Sequence, residues 1–325
     1  MIIEVMPGIY KIEVPLPRSP LKATNSYLIK GQGRNLLVDT GWNREESRKA
    51  LFSGLAALDV VLEETDILLT HVHADHSGLT AAVATEKSTL YCGEIDAELV
   101  NATGTTTYWS DIGVMFGVYG FPMEDIPDAM RVHPGRRYNP GIQQIFTILR
   151  ENDVIEVGDY HFTCVETPGH TPGHICLYEP KNKILISGDH VLDDITPNIT
   201  FEKRIKDPLG HYLQSLDKID QMDISLVLTG HRRLIDNIHK RIDELKQHHQ
   251  NRLNEVLDIL GTGLRDAYQI AGKMTWDITA KSWELFPPAQ KVFAVGEAVT
   301  HLEYLRHIGR ARKIEENGKM FFELN

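Results

Sequence analysis

The chain has 325 residues, about 42% of them apolar, and its 45 acidic against 34 basic side chains give a formal net charge of −11. That length allows one large domain, or a large one with a small one. The negative balance excludes a protein that coats nucleic acid or an anionic membrane with its whole surface.

No apolar run approaches the ~18–20 residues that a membrane-spanning helix requires. The opening residues, Met1-Ile2-Ile3-Glu4-Val5, carry no basic lead into an apolar stretch. Three cysteines, Cys92, Cys164 and Cys176, do not make a disulfide framework and are expected as plain core residues. A soluble protein of a reducing, cytoplasmic compartment is the expectation.

In chain order, Ile9–Val14 alternates apolar and polar, Asn25–Ile29 starts another strand, and Asn35–Val38 ends at Asp39-Thr40-Gly41. Asn43 and Glu46 have the spacing of a capping box ahead of a helix carrying Ala50, Leu51, Leu55 and Leu58. Asp66–Leu69 has the apolar run of a buried strand, Leu79–Val83 suggests a helix and Leu90–Cys92 a strand. From about 94 to 132 the chain becomes rich in aromatic residues and methionine, as in a helical insertion. Strands resume at Asp153–Val157, Tyr160–Glu166, His174–Tyr178, Ile184–Ile186 and Leu226–Leu228. Strands alternating with helices define a layered α/β domain over residues 1–240.

Residues 241–325 change character. Ile242, Leu245, Leu253, Val256, Leu257 and Leu260 recur at helical spacing. Phe286-Pro287-Pro288 should break the chain before a helix carrying Val292, Val295, Val299 and Leu302. The segments Arg312–Ile314 and Met320–Leu324 flank Asn317-Gly318, the signature of a tight hairpin. Helices followed by a hairpin suggest a small winged-helix-like module. Its apolar faces are too wide to stand in water. It is therefore expected beside the mouth of the active site, shaping a pocket or a homodimer contact.

The fifteen histidines are unevenly placed. His71, His73 and His76 lie in Thr70-His71-Val72-His73-Ala74-Asp75-His76, directly after an apolar strand. Residues i and i+2 of a strand share a face, so His71 and His73 can hold one ion, while Asp75 and His76 can face a second. Imidazole nitrogens with a carboxylate suit zinc, iron(II) or manganese(II). Further candidates each end an apolar strand: His170 after Pro168-Gly169, Asp189 after Gly188 and His231 after Gly230. Of the other histidines, His174 is expected to be structural, His190 to stand behind the ligands or at the rim, and His248 and His249 to be solvated on a helix.

These motifs resemble the ligand set of the metallo-β-lactamase-fold hydrolase superfamily in its dinuclear form, over about residues 20–235. The resemblance implies an αββα sandwich. It assigns His71, His73 and His170 to one metal and Asp75, His76 and His231 to the other. Asp189 would bridge both, and Asp39 would support the ligands from behind. It also implies two divalent ions, zinc foremost with iron or manganese as alternatives. A bridging hydroxide would attack an ester, thioester or lactone of a small-molecule substrate, with Asp75 as proton acceptor. The layout is most similar to lactonase- and thioesterase-like members with a C-terminal winged-helix-like tail. Tyr108, Trp109, Phe116 and Tyr119 are candidates for lining an apolar entrance.

The alternatives within the fold are a phosphodiesterase or endoribonuclease and a flavodiiron-type oxidoreductase. The first is kept open by Arg306, Arg310, Arg312 and Lys313. The second is disfavoured by His73 and by the lack of a flavin domain. A non-catalytic scaffold or DNA-binding regulator is the remote reading. The −12 charge of residues 1–244 and the +1 of the remainder speak against nucleic acid as partner.

Overall fold

The computed structural model describes residues 1–141, 143–278 and 280–325. One sheet takes its strands in chain order: β1 (Ile2–Met6), β2 (Ile9–Pro15), β3 (Ala23–Ile29), β4 (Asn35–Val38), β5 (Thr65–Leu68), β6 (Leu90–Gly93) and β7 (Thr147–Leu149). Its first four strands form an antiparallel meander and β4 to β7 run parallel. The second sheet contains β8 (Val154–Val157), β9 (Tyr160–Glu166), β10 (Ile175–Glu179), β11 (Ile184–Gly188) and β12 (Leu226–Thr229), in the order β12-β11-β10-β9-β8.

Strand alternation sorts the side chains into layers. Tyr27, Ile29, Leu36 and Val38 pack with Phe162, Cys164, Leu177, Ile184 and Ile186 between the sheets. Their neighbours Leu28 and Leu37 point outward onto Leu51 and Leu55 of α1 (Glu45–Ala57). Val165, Cys176, Leu185 and Val227 leave the other outer face, onto Tyr212, Leu216 and Ile219. The result is an αββα sandwich. The three cysteines are free and buried, as expected of core residues, and burial pushes the thiols of Cys164 and Cys176 up to about 12.

Short helices α2 (Ala74–Ser77) and α3 (Thr80–Val83) follow β5. Four more separate β6 from β7: α4 (Glu94–Thr103), α5 (Thr106–Val118), α6 (Ile126–Val132) and α7 (Pro134–Arg137). The helical stretch therefore runs five residues past the boundary expected from the aromatic composition. The expected capping box does not form. Arg44 takes the N-cap position of α1 without a side-chain cap, because the Asn43 amide donates to Asn139 O and Glu46 pairs with Arg44.

After β11 come α8 (Pro208–Asp220), then α9 (Ile238–Leu260), α10 (Ala267–Ala271) and α11 (Pro288–His307). The last strands are β13 (Arg265–Asp266), β14 (Ala311–Glu316) and β15 (Lys319–Leu324), ordered β13-β15-β14. Asn317 and Gly318 both have positive φ, 52° and 76°, which is the geometry a two-residue hairpin turn needs. Apolar side chains of α9, α10 and α11 share one cluster with α5, α6, α8 and the second sheet. No described helix is long and apolar enough to cross a membrane.

Candidate metal centre

Sheet direction brings the site together. Strands β4 and β5 are parallel, so Asp39 and the Thr70–His76 loop leave the first sheet at one edge. Strand β10 is antiparallel to both β9 and β11, and β11 is parallel to β12. Strands β9, β11 and β12 therefore point the same way and deliver His170, Asp189 and His231 to one edge of the second sheet. Backbone approach there is tight. A Cβ on Gly188 would lie 2.6 Å from Thr70 Oγ1, and Gly188 has a φ of 48° that disfavours any side chain. A Cβ on Gly230 would run into Asp189 Oδ1.

The seven residues meet. Ligand atoms of His71, His73 and His170 lie within 4.8 Å of one another, as do those of Asp75, His76 and His231, and those of His71, His76 and Asp189. His73 Nδ1 is 3.1 Å from His71 Nε2 and 3.0 Å from His170 Nε2. His231 Nε2 is 3.4 Å from Asp75 Oδ2 and 3.3 Å from Asp189 Oδ2. His76 Nε2 is 3.4 Å from Asp189 Oδ1.

Outer partners fix which nitrogen faces inward. His170 Nδ1–H donates to Asn198 O at 2.8 Å and His231 Nδ1–H to Ala23 O at 2.7 Å. His76 Nδ1–H donates to Asp39 Oδ2 at 2.7 Å. The Thr70 hydroxyl donates to Asp39 Oδ2, so towards His71 Nδ1 at 3.0 Å its oxygen accepts. Four imidazoles thus aim Nε2 into one space, where their lone pairs face each other and the carboxylates of Asp75 and Asp189. Such an arrangement calls for cations. Asp189 Oδ1 is buried there without a hydrogen-bond partner, and no cysteine belongs to the converging groups among the described residues. The donor set fits hard or borderline divalent ions.

Electrostatics agree. Burial opposes charge on Asp189, yet His231 and His76 hold its carboxyl well below the usual range; the same histidine pair outweighs burial at Asp75 and brings it to about 2. Against burial, Asp189 and Asp75 lift His231 to about 9, and Asp189 and Asp39 lift His76 well above its ordinary value. Burial and neighbouring histidines drive His170 down to about 3. Asp75 and Asp189 thus draw positive charge to the side of His76 and His231, where a bound cation would take the place of protons, while His170 stays neutral, the state a metal ligand needs.

Two supporting carboxylates stand behind the cluster. Asp39, whose φ is 59°, also accepts from Thr70 N at 2.9 Å. Asp96, which the sequence reasoning missed, accepts from Val72 N at 2.8 Å, Gly173 N at 2.7 Å and the Thr171 hydroxyl. It ties the two histidine-bearing loops together. Its only signal in the sequence is an acidic residue in the first turn of α4, which is ordinary for a helix. His174 accepts from Asp189 N at 3.3 Å and holds Thr167 with its other nitrogen, a hydrogen-bonding role as expected. His190 is not at the rim: it is fully buried, its ring 5.4 Å from that of Tyr212.

Beside His73 and His170 opens a cleft lined by Tyr108, Trp109 and Phe116. Tyr119 is not part of it. Its ring stacks on Phe322 and its hydroxyl donates to Glu303 at 3.4 Å, because α5 has ended at Val118 and the chain turns to the C-terminal sheet. His133, Val292 and Phe293 line the cleft instead, the last two from α11. His249 is another correction. It is buried against His301, because α9 turns Ile242, Leu245, His249, Arg252 and Leu253 inward together.

The metallo-beta-lactamase superfamily model matches residues 20–231, and the chain belongs to that family. Among its relatives, human acyl-coenzyme A thioesterase MBLAC2 is 28% identical over 233 residues, covering 69% of this chain and 78% of that protein. The "probable metallo-hydrolase YqjP" of Bacillus subtilis is 26% identical over 315 residues, 91% of this chain and 92% of that protein. The crystal structure of a metallo-beta-lactamase family protein from Thermus thermophilus superposes with a TM-score of 0.81. It is 29% identical and covers 99% of this chain and 100% of that one. The chain is thus a metal-site-bearing hydrolase of this superfamily.

Proposed function

We propose that the protein is a dinuclear metallohydrolase of esters, thioesters or lactones, with residues 1–240 as catalytic domain and 241–325 as a winged-helix-like module. His71, His73 and His170 would hold one ion, Asp75, His76 and His231 the other, and Asp189 would bridge them. Zinc suits these donors best, with iron or manganese as alternatives. The observation that carries this reading is the set of four imidazoles whose Nδ1 atoms are engaged outward while Nε2 atoms converge on Asp189.

Two bound divalent ions supply an activated water at neutral pH and an electrophile for the attacked carbonyl. The chain's own residues do the rest. Asp39 and Asp96 keep the ligand loops in register, so no reorganisation is needed as charge develops. Asp75 would accept the proton released on attack; the histidines beside it keep it ionised. The apolar cleft against His73 and His170 favours an acyl group over a bare phosphate, and the thioesterase name of MBLAC2 agrees.

The phosphodiester alternative is weakened at three of its four basic residues: Arg306 and Lys313 both pair with buried Glu303, and Arg312 pairs with Glu323. A parallel screen of acyl thioesters, lactones, β-lactams and phosphodiesters with the metal-reconstituted protein tests the reading. Turnover of the first two classes is expected. Turnover confined to phosphodiesters would reverse the choice.

A further inference from the structure

We infer that Glu297, on helix α11, is a positioning residue for His170: through the Asn198 side chain it holds the carbonyl that orients this histidine. The link rests on the proposed metal centre and gives residues 241–325 a part in building it.

The four imidazoles that turn Nε2 inward have outer partners of two kinds. His71 rests on Thr70, His76 on Asp39 and His231 on Ala23, and each of these supports lies in, or within two residues of, a strand of the first sheet. His170 instead donates to Asn198 O at 2.8 Å, and Asn198 belongs to residues 189–207, which contain neither helix nor strand. A loop carbonyl orients a ring only as well as its own backbone is held.

The C-terminal helices hold that loop. The Asn198 side-chain amide donates to Glu297 Oε2 at 3.0 Å. Glu297 Oε1 accepts from Arg252 Nε at 3.2 Å, and Arg252 is tied in turn to Glu255 at 2.7 Å and to Thr275 O at 2.6 Å. Glu297 is thus fixed from behind, and its side chain is only 12% exposed. Arg252 engages one of its carboxylate oxygens; the other is aimed at the very residue that His170 contacts. Helix α11 also lies directly against the loop, since a Cβ on Gly296 would run into Thr200 Oγ1. From α9, Arg241 donates to Leu192 O at 2.6 Å and to Ile195 O at 2.9 Å. Without the Asn198–Glu297 bond the carbonyl is free to shift, and the tautomer that keeps the His170 Nε2 lone pair inward loses its support.

Zinc affinity of the full chain, measured by competition with a chelating dye, tests the link. In Glu297→Ala one of the two ions should bind about tenfold more weakly and the other within about twofold of wild type, because His76 and His231 have their supports elsewhere. Asn198→Ala should do the same while leaving the Glu297–Arg252 pair whole, so the test does not hinge on a destabilised fold. The double variant should lose no more than either single one, since both break one link. Combining Asn198→Asp with Glu297→Gln exchanges donor and acceptor at constant net charge. It should restore affinity to within about threefold of wild type, where Glu297→Gln alone does not.

Heteronuclear NMR of the metal-free chain reads the ring itself, with His170 assigned by comparison with His170→Gln. Wild type should show the Nδ1–H tautomer, and Glu297→Ala a mixture of the two. That change in a protein that binds no zinc would sink the metal centre and leave the link standing. Wild-type affinities with an unchanged tautomer in both alanine variants would overturn the link and leave the metal centre intact. Equal weakening of both ions would also overturn it, reducing Glu297 to a general support of the fold.

Discussion

Two buried clusters in this protein are built from the same residue types and behave differently. One is the His71–His231 constellation at the sandwich edge. The other lies between α9 and α11, where His249, His301, Arg252 and Glu297 are packed. In the second, Arg252 donates to Glu297 at 3.2 Å, to Glu255 at 2.7 Å and to Thr275 O, and it lies 4.3 Å over the Trp276 ring. Its charged groups pair within the chain, while Arg252 Nη2 and His249 Nε2 stay buried without a partner. In the first cluster, the side chains of Asp75 and Asp189 face histidines, and the imidazoles aim lone pairs at one another. What marks a metal site is therefore not the number of histidines but the convergence of imidazole nitrogens and carboxylate oxygens on one space.

The comparison can be broken by mutation. The largest effect is expected at Asp189: Asp189→Ala should remove bound metal and lower hydrolysis by at least ~10³-fold, measured by elemental analysis and initial rates. If His174→Ala or His190→Ala strips the metal while Asp189→Ala does not, the ligand assignment is wrong. Arg252→Met should destabilise by about 3 kcal/mol in urea unfolding, because it leaves Glu297 buried with only Asn198 and no cation beside it, yet leave metal content unchanged. Loss of metal in that variant would erase the distinction between the clusters. Asp96→Asn and Asp39→Asn should weaken metal affinity about 10–100-fold with the fold retained, read by competition with a chelating dye.

Acid sharpens the contrast. Burial holds His301 at about 4, below the ~6.5 of an unfolded histidine. Its contribution is therefore fully present above about pH 6.5 and is lost as pH falls towards 4. Between pH 7.5 and 5 the loss should be about 2 kcal/mol, and His301→Gln should flatten that slope whether or not metal is bound. The smallest effect is expected on the surface. Charge reversal of Arg310 and Arg312 should leave turnover within about twofold, since Arg312 is an exposed ion-pair partner of Glu323. Tight, salt-sensitive duplex binding that these changes abolish would restore a nucleic-acid reading.

Much of this was legible in the sequence because the informative residues are local. His71 to His76 occupy six consecutive positions, and each remaining candidate ends an apolar run. The alternation in β3 and β4 and the Asn317-Gly318 turn likewise carry their own signals. What could not be seen depends on distant partners. Asp96 looks like any acidic residue at a helix start until Val72, Thr171 and Gly173 arrive around it. Tyr119 belongs to an aromatic run but is claimed by Glu303 and Phe322, about two hundred residues away. His249 sits one position from half-buried His248, and only packing against α11 shows which of the two faces inward. Part of the cleft's lining was hidden for the same reason, since Phe293 is supplied by α11.

On the proposed reading, the sandwich edge would hold two divalent ions in a site completed by Asp189. Elemental analysis of the full chain after reconstitution and desalting tests it most directly. About two ions per chain in the wild type and a sharp fall in Asp189→Ala are predicted. A wild-type chain that retains no divalent ion, or an Asp189→Ala chain that keeps two, would contradict the account.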